Sequence, residues 1–82
     1  MRIDKFLKVS RLLKRRTVAV QAADGGRIKI NDKVVKPSHQ VKVGDVVEIG
    51  FSSGAVKVRI LDVKETVRKE DAERLYEILG EE

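Results

Sequence analysis

Apolar positions in this chain change their period twice, and each change marks a change of element. Near the start, Ile3, Phe6 and Leu7 follow helical spacing, and Val9 and Leu13 can extend the set. Lys5 and Lys8 fall away from it. Asp4 is placed as an N-cap, its carboxylate accepting from the free amides of the first turn. The pattern predicts a short helix of about two turns. Thr17 is the next expected N-cap. After it Val18, Ala19, Ala22 and Ala23 mark the buried stripe of a second helix, and small alanines let such a helix sit close to its neighbours. Asp24-Gly25-Gly26 closes it, because glycine takes the left-handed conformation that ends helices.

From Arg27 the period becomes two. Ile28 and Ile30 alternate with Arg27 and Lys29, Asn31-Asp32 makes a turn, and Val34-Val35 resumes, which predicts a hairpin. Pro37-Ser38-His39 interrupts the strand pattern. Val41 and Val43 lead into a turn at Gly44-Asp45. Val46, Val47, Ile49 and Phe51 read as a strand, Ser52-Ser53-Gly54 as a tight loop, and Ala55 to Val63 as the partner strand. In that partner, Val56, Val58 and Ile60 lie on one face, with Lys57 and Arg59 on the other. The period then returns to helical. Ala72, Leu75, Tyr76 and Leu79 fall at i, i+3, i+4 and i+7, predicting a C-terminal helix stopped by Gly80. Phe6, Phe51 and Tyr76 all fit core positions.

At 82 residues the chain is read as one domain with a small core. No window approaches the ~18 apolar residues of a membrane span. The apolar residues near the start are broken by charge, so no signal peptide is read there. No cysteine is present, which excludes a disulfide framework, a thiolate metal site and a cysteine nucleophile. The cytoplasm is the expected compartment, without membrane attachment, and nothing asks for an obligate dimer, so a monomer is expected.

Charge changes the picture more than composition does. Residues 1–16 hold seven Lys/Arg (Arg2, Lys5, Lys8, Arg11, Lys14, Arg15, Arg16) against Asp4 alone, a local charge of +6 in a chain of net charge +5. Residues 65–82 sum to −4, with acids at 65, 70, 71, 73, 77, 81 and 82. That end is expected to face away from nucleic acid. Concentrated positive charge is the footprint of a polyanion binder. In the joint Arg11–Arg16, four of six residues are cationic, where a solvated loop needs one or two. Arg15 and Arg16 also stand just before the second helix, whose positive dipole end and free amides favour phosphate. Arginine can grip a phosphate through two parallel hydrogen bonds. With three aromatics, all read as core, no stacking platform for single strands is evident, which favours structured RNA recognised through backbone and shape.

The catalytic inventory is thin. His39 is the only histidine, beside a turn and far in sequence from any pair of carboxylates, and reads as a surface or turn residue. No serine has a G-x-S-x-G context. The aspartates are scattered as caps and turns without the spacing of a metal site. Gly25-Gly26 follows a helix instead of opening one, so it is no phosphate loop. No enzyme activity, cofactor or metal is expected.

Five landmarks occur in order: Arg2-Ile3-Asp4-x-x-Leu7, Arg16-x-x-Ala19, Gly26-x-Ile28-x-Ile30-Asn31, Val41-x-x-Gly44-Asp45 and Val47. Over residues 2–50 this resembles the RNA-binding domain named after the fourth protein of the small ribosomal subunit, the alpha-L motif. Arg15 stands where that family often has Ser, and Asp32 where it often has Gly. The run from Asp4 to Thr17, the length, and the acidic end without a basic extension are most similar to the stand-alone, RqcP-type members of bacterial ribosome quality control. The fifteen-kilodalton heat-shock protein is a related member.

The resemblance implies an α+β fold: two short N-terminal helices packed on a small, mainly antiparallel sheet, with a strand pair and C-terminal helix over 51–82. It implies binding to large-subunit ribosomal RNA and P-site peptidyl-tRNA on a stalled large ribosomal subunit. It also implies cooperation with RqcH during C-terminal alanine tailing, without bond chemistry by the small protein itself. A general assembly or subunit-recycling factor is the alternative. Carried over by position, Arg2 and Arg16 are the first-choice RNA contacts. Lys5, Lys8, Arg11, Lys14 and Arg15 support them, and Asp4 orients the first helix or an arginine.

Overall fold

The computed structural model describes residues 1–81; Glu82, counted above with the acidic end, lies outside the described residues. Two helices, α1 (Ile3–Val9) and α2 (Arg16–Asp24), precede five strands: β1 (Ile28–Ile30), β2 (Lys33–Val34), β3 (Val46–Phe51), β4 (Gly54–Ile60) and β5 (Tyr76–Glu81). The strands form one sheet in the order β2-β1-β3-β4-β5, and every neighbouring pair is antiparallel. This is the expected α+β architecture. No helix among the described residues is long and apolar enough to cross a membrane.

The core lies between the helices and one face of the sheet. Ile3, Phe6 and Leu7 from α1 and Ala19, Ala22 and Ala23 from α2 meet Ile28, Ile30, Val47, Ile49, Val58 and Ile60. Period-two burial along β1, β3 and β4 puts one face of each against the helices. The alanines carry little side chain, so α2 can lie close to its neighbours. Val18 belongs on the outside, 41% exposed, and so does Phe51 at the end of β3. Both were expected in the core. Val18 sits one residue ahead of the alanine stripe, and Phe51 pairs with Gly54 beside a two-residue turn, past the helical layer.

Helix ends follow backbone rules more than side-chain capping. α1 begins at Ile3, so Asp4 is inside the first turn and does not cap. The first amides are already satisfied by a distant loop: Ile3 N–H donates to the His39 carbonyl and Asp4 N–H to the Pro37 carbonyl. α2 begins at Arg16, one residue before the expected cap Thr17, with no side chain capping it. Its C-terminus closes as a Schellman turn. Gly26 takes φ +76° and donates to the Ala23 carbonyl, and Arg27 donates to the Ala22 carbonyl.

The hairpin between β1 and β2 has Ile30 opposite Lys33, leaving Asn31-Asp32 as a two-residue turn. Both carry positive φ, 51° and 70°, the signature of a type I′ turn. Asp32 adopts the conformation glycine would take more cheaply. The Asn31 side chain reinforces the turn, accepting from Val46 N–H at 3.0 Å and donating to the buried Asp45 at 3.3 Å.

The expected C-terminal helix is replaced by a 3-10 helix over Lys69–Leu75, followed by strand β5. Ala72 and Leu75 are buried, as helical spacing requires. Beyond them Ile78 and Leu79 are exposed. Continuing the helix would stack Glu73, Glu77 and Glu81 at i, i+4 intervals, which like charges disfavour. Pairing with β4 instead satisfies backbone groups on that strand's outer edge. Leu79 is accommodated as an unpaired bulge residue, since Val58 faces Ile78 and Lys57 faces Gly80.

Candidate nucleic-acid interface

The basic joint is a chain reversal between α1 and α2. α1 ends at Val9, and Arg11 then takes a left-handed φ of 62°, a position that normally favours glycine. Arg11 N–H donates to the Lys8 carbonyl, and Leu13 N–H to the Leu7 carbonyl. Leu13 is thereby drawn into the core while Arg11, Lys14 and Arg15 stay exposed. The apolar residue anchors the turn and the cations are left outside.

At the centre of the interface is a buried carboxylate. Asp4 is 1% exposed, yet it accepts from two guanidinium groups: Arg2 Nη2 at 3.0 Å from Oδ2, and Arg16 Nη2 at 3.4 Å from Oδ1. Oδ1 also accepts from Lys5 N–H at 2.7 Å. A buried carboxylate needs such partners. Each arginine side chain remains 45% exposed, so part of each fork faces solvent. One negative charge aims two positive ones and leaves net positive charge at the surface. Among the described residues, no buried side-chain nitrogen or oxygen lacks a partner.

A groove of about 330 Å³ runs beside this node, lined by Lys5, Lys8, Arg11, Lys14 and Arg16. Five of the eight residues predicted from sequence therefore share one surface. Arg2 joins them through Asp4. Arg15, exposed at the N-cap of α2, does not line the groove. The uncapped start of α2 adds free amides and the positive end of its dipole. The arrangement suits an anionic backbone.

The groove's far wall was not foreseen. Glu65, Thr66 and Val67 close it, and Glu65 forms an ion pair with Lys5. Part of the acidic end thus reaches the basic face, contrary to expectation. The Lys5 ammonium, by hydrogen bond and by charge, holds the Glu65 carboxyl below its ordinary pKa. Sixty residues separate the pair, and no local pattern in the sequence signals it. His39 is exposed, and its backbone carbonyl is what the fold uses. Among the described residues no cluster of His, Asp and Glu could hold a metal ion.

The S4 domain model matches residues 1–47, the helices, the joint and the start of β3. Curated relatives extend over the whole chain. The RQC P-site tRNA stabilizing factor of Halalkalibacterium halodurans is 55% identical, with 100% of this chain and 93% of that protein aligned. That of Streptococcus pneumoniae is 52% identical over 81 residues, covering 99% and 92%. Among solved structures, Vibrio cholerae Heat Shock Protein 15, described as a trimer, superposes with a TM-score of 0.90. It is 26% identical and covers 98% of this chain and 82% of its own. With this fold and full-length identity above one half, the chain belongs to the S4-domain family and, within it, to the RQC P-site tRNA stabilizing factors.

Proposed function

We propose that this protein is a non-catalytic RNA-binding factor of bacterial ribosome quality control. It binds large-subunit ribosomal RNA and P-site peptidyl-tRNA on stalled large subunits and so supports RqcH-dependent alanine tailing. The observation that carries this reading is the groove of five cations beside the Arg2–Asp4–Arg16 node. Phosphate contacts of this kind supply affinity and position and need no base-reading side chains. The full-length relatives, whose names specify P-site tRNA stabilization, supply the setting. The protein's task is to hold tRNA where a partner acts, and its own residues break and form no bonds. It works as a monomer in the cytoplasm, and the whole chain is one RNA-binding domain.

The test is an affinity pull-down from cells with stalled ribosomes, with bound RNA sequenced and bound proteins identified. The expected catch is large subunits carrying peptidyl-tRNA, together with RqcH. Assembly intermediates or empty subunits without tRNA would move the role to subunit assembly or recycling. Recovery of no ribosomal RNA would overturn the reading.

A further inference from the structure

The larger concavity of the molecule is not at the joint. It is a hollow of about 650 Å³ between the β1–β2 hairpin and the loop from Val35 to Asp45, about twice the volume of the joint groove. Its rim carries Lys33, Lys36 and Lys42, all exposed, with His39 beside them. Ion pairing divides the basic surface. Arg2, Lys5, Arg16, Lys29, Arg59, Lys64 and Arg74 each face a carboxylate. Lys33, Lys36 and Lys42 have no ion-pair partner among the described residues, nor do Lys8, Arg11, Lys14 and Arg15 of the joint, nor the scattered Arg27, Lys57, Arg68 and Lys69. Among the described concavities only the hollow and the joint groove are each lined by three unpaired cations, and the backbone of Arg2 bridges to Gln40 on the hollow's rim.

The hollow is built rigidly. Asp45, 4% exposed, accepts from Lys42 N–H at 3.0 Å and from the Asn31 side chain at 3.3 Å, tying the loop's end to the hairpin turn. The turn at Lys36–His39 closes with His39 N–H donating to the Lys36 carbonyl at 3.0 Å. The Pro37 and His39 carbonyls then accept the first amides of α1. The one acid on the hollow's wall spends its charge inside the fold, so the lysines face outward unopposed. Cations on a preformed frame bind an anionic chain at lower ordering cost than cations on a free loop.

We infer that this hollow is a second RNA-backbone site, distinct from the joint groove and mechanically joined to it through the start of α1. It takes phosphates of structured RNA, with Lys33, Lys36 and Lys42 as the contacts, and lets one small domain grip two RNA segments at a set spacing. The inference rests on the RNA-binding role proposed above. A protein partner is the less favoured occupant, because the rim is cationic and offers no aromatic anchor.

The test is binding to purified large ribosomal subunits carrying peptidyl-tRNA, titrated from low to high salt. Four chains are compared: wild type, Arg16→Ala, the triple variant Lys33→Gln/Lys36→Gln/Lys42→Gln, and the control triple Lys57→Gln/Arg68→Gln/Lys69→Gln. The two triples lose the same charge, and circular dichroism checks that each is folded. The hollow triple is expected to bind about tenfold more weakly, with a salt slope shallower by about two to three units. The control triple should stay near wild type. If the hollow triple matches wild type while Arg16→Ala binds weakly, the hollow is only a solvated surface and the joint reading stands. If both triples weaken equally, net charge is responsible and the site is overturned. If wild type itself binds no subunits, the RNA-binding role fails and takes this inference with it.

Discussion

Arg16 Nη2 lies 3.4 Å from Oδ1 of Asp4, a carboxylate buried twelve residues earlier in the chain. The contact joins the start of α2 to the start of α1 and sets the direction of the arginine fork. Simple charge counting predicts that neutralising Asp4 strengthens RNA binding, because net charge rises. The geometry predicts the opposite. Asp4→Asn should release both Arg2 and Arg16 and weaken large-subunit binding. It should also lower stability by about 1–2 kcal/mol, the range for hydrogen bonds to charged groups discounted for half-exposed arginines. Urea unfolding and subunit affinity, measured on one preparation, decide between the two accounts.

Arg16→Ala separates binding from folding. Its side chain is 45% exposed. The protein should stay folded, with a loss of about 1 kcal/mol because Asp4 keeps Arg2 and Lys5 N–H as partners, and the slope of log affinity against log salt should shrink by about one unit. An unchanged slope would remove Arg16 from the contact set. Circular dichroism and a salt titration suffice.

Arg11 presents a conflict between stability and function. A left-handed φ of 62° costs an arginine about 1–2 kcal/mol that glycine does not lose, though glycine gives part of it back as unfolded-state entropy. Such outliers gather at functional sites. Arg11→Gly should raise stability by about 0.5–1 kcal/mol while weakening RNA binding. A variant both less stable and fully active would show that the side chain serves the fold.

Much of this was legible along the chain. The alanine stripe, the period-two strands and the Asn31-Asp32 turn are local patterns, and local rules produce them. The cationic residues of the joint are adjacent or one helical turn apart, so the groove could be foreseen from the charge run. Three things were not local. Asp4 looked like a cap because caps are read from neighbours, whereas the carbonyls of His39 and Pro37 take the amides of Ile3 and Asp4, and the helix starts ahead of Asp4. Glu65 reaches Lys5 only because the segment after β4 returns to the helices. The last segment kept helical spacing through Leu75, but the open edge of β4 outweighed local preference from Tyr76 onward.

Glu65 tempers the basic groove. Glu65→Gln frees Lys5 and removes the one acid lining the site, so RNA affinity should rise and its salt slope steepen. The pair is exposed, and the unfolding midpoint at neutral pH should hardly change. The pH dependence has a definite sign. Because Lys5 lowers the carboxyl's pKa in the folded protein, the pair's contribution is present above the ordinary glutamate pKa of ~4.3. It is lost as pH falls through the lowered folded value. Wild type should therefore exceed Glu65→Gln by the same small margin at all pH values above about 4.3, and the two stability curves should converge as pH falls below it.

Leu75 and Leu79 distinguish a strand from a helix at the chain's end. On a continuous helix they would share one apolar face and be similarly buried. Here Leu75 is 2% exposed at the end of the 3-10 helix, and its carbonyl accepts from Leu61 N–H at 2.8 Å. Leu79 is the bulge residue of β5 and is exposed. Leu75→Ala should cost about 2–4 kcal/mol, as truncation of a buried leucine does, and Leu79→Ala well under about 1 kcal/mol. Equal losses would restore the helix. The stated asymmetry, read from two denaturant midpoints, would place the acidic end on the sheet as its fifth strand.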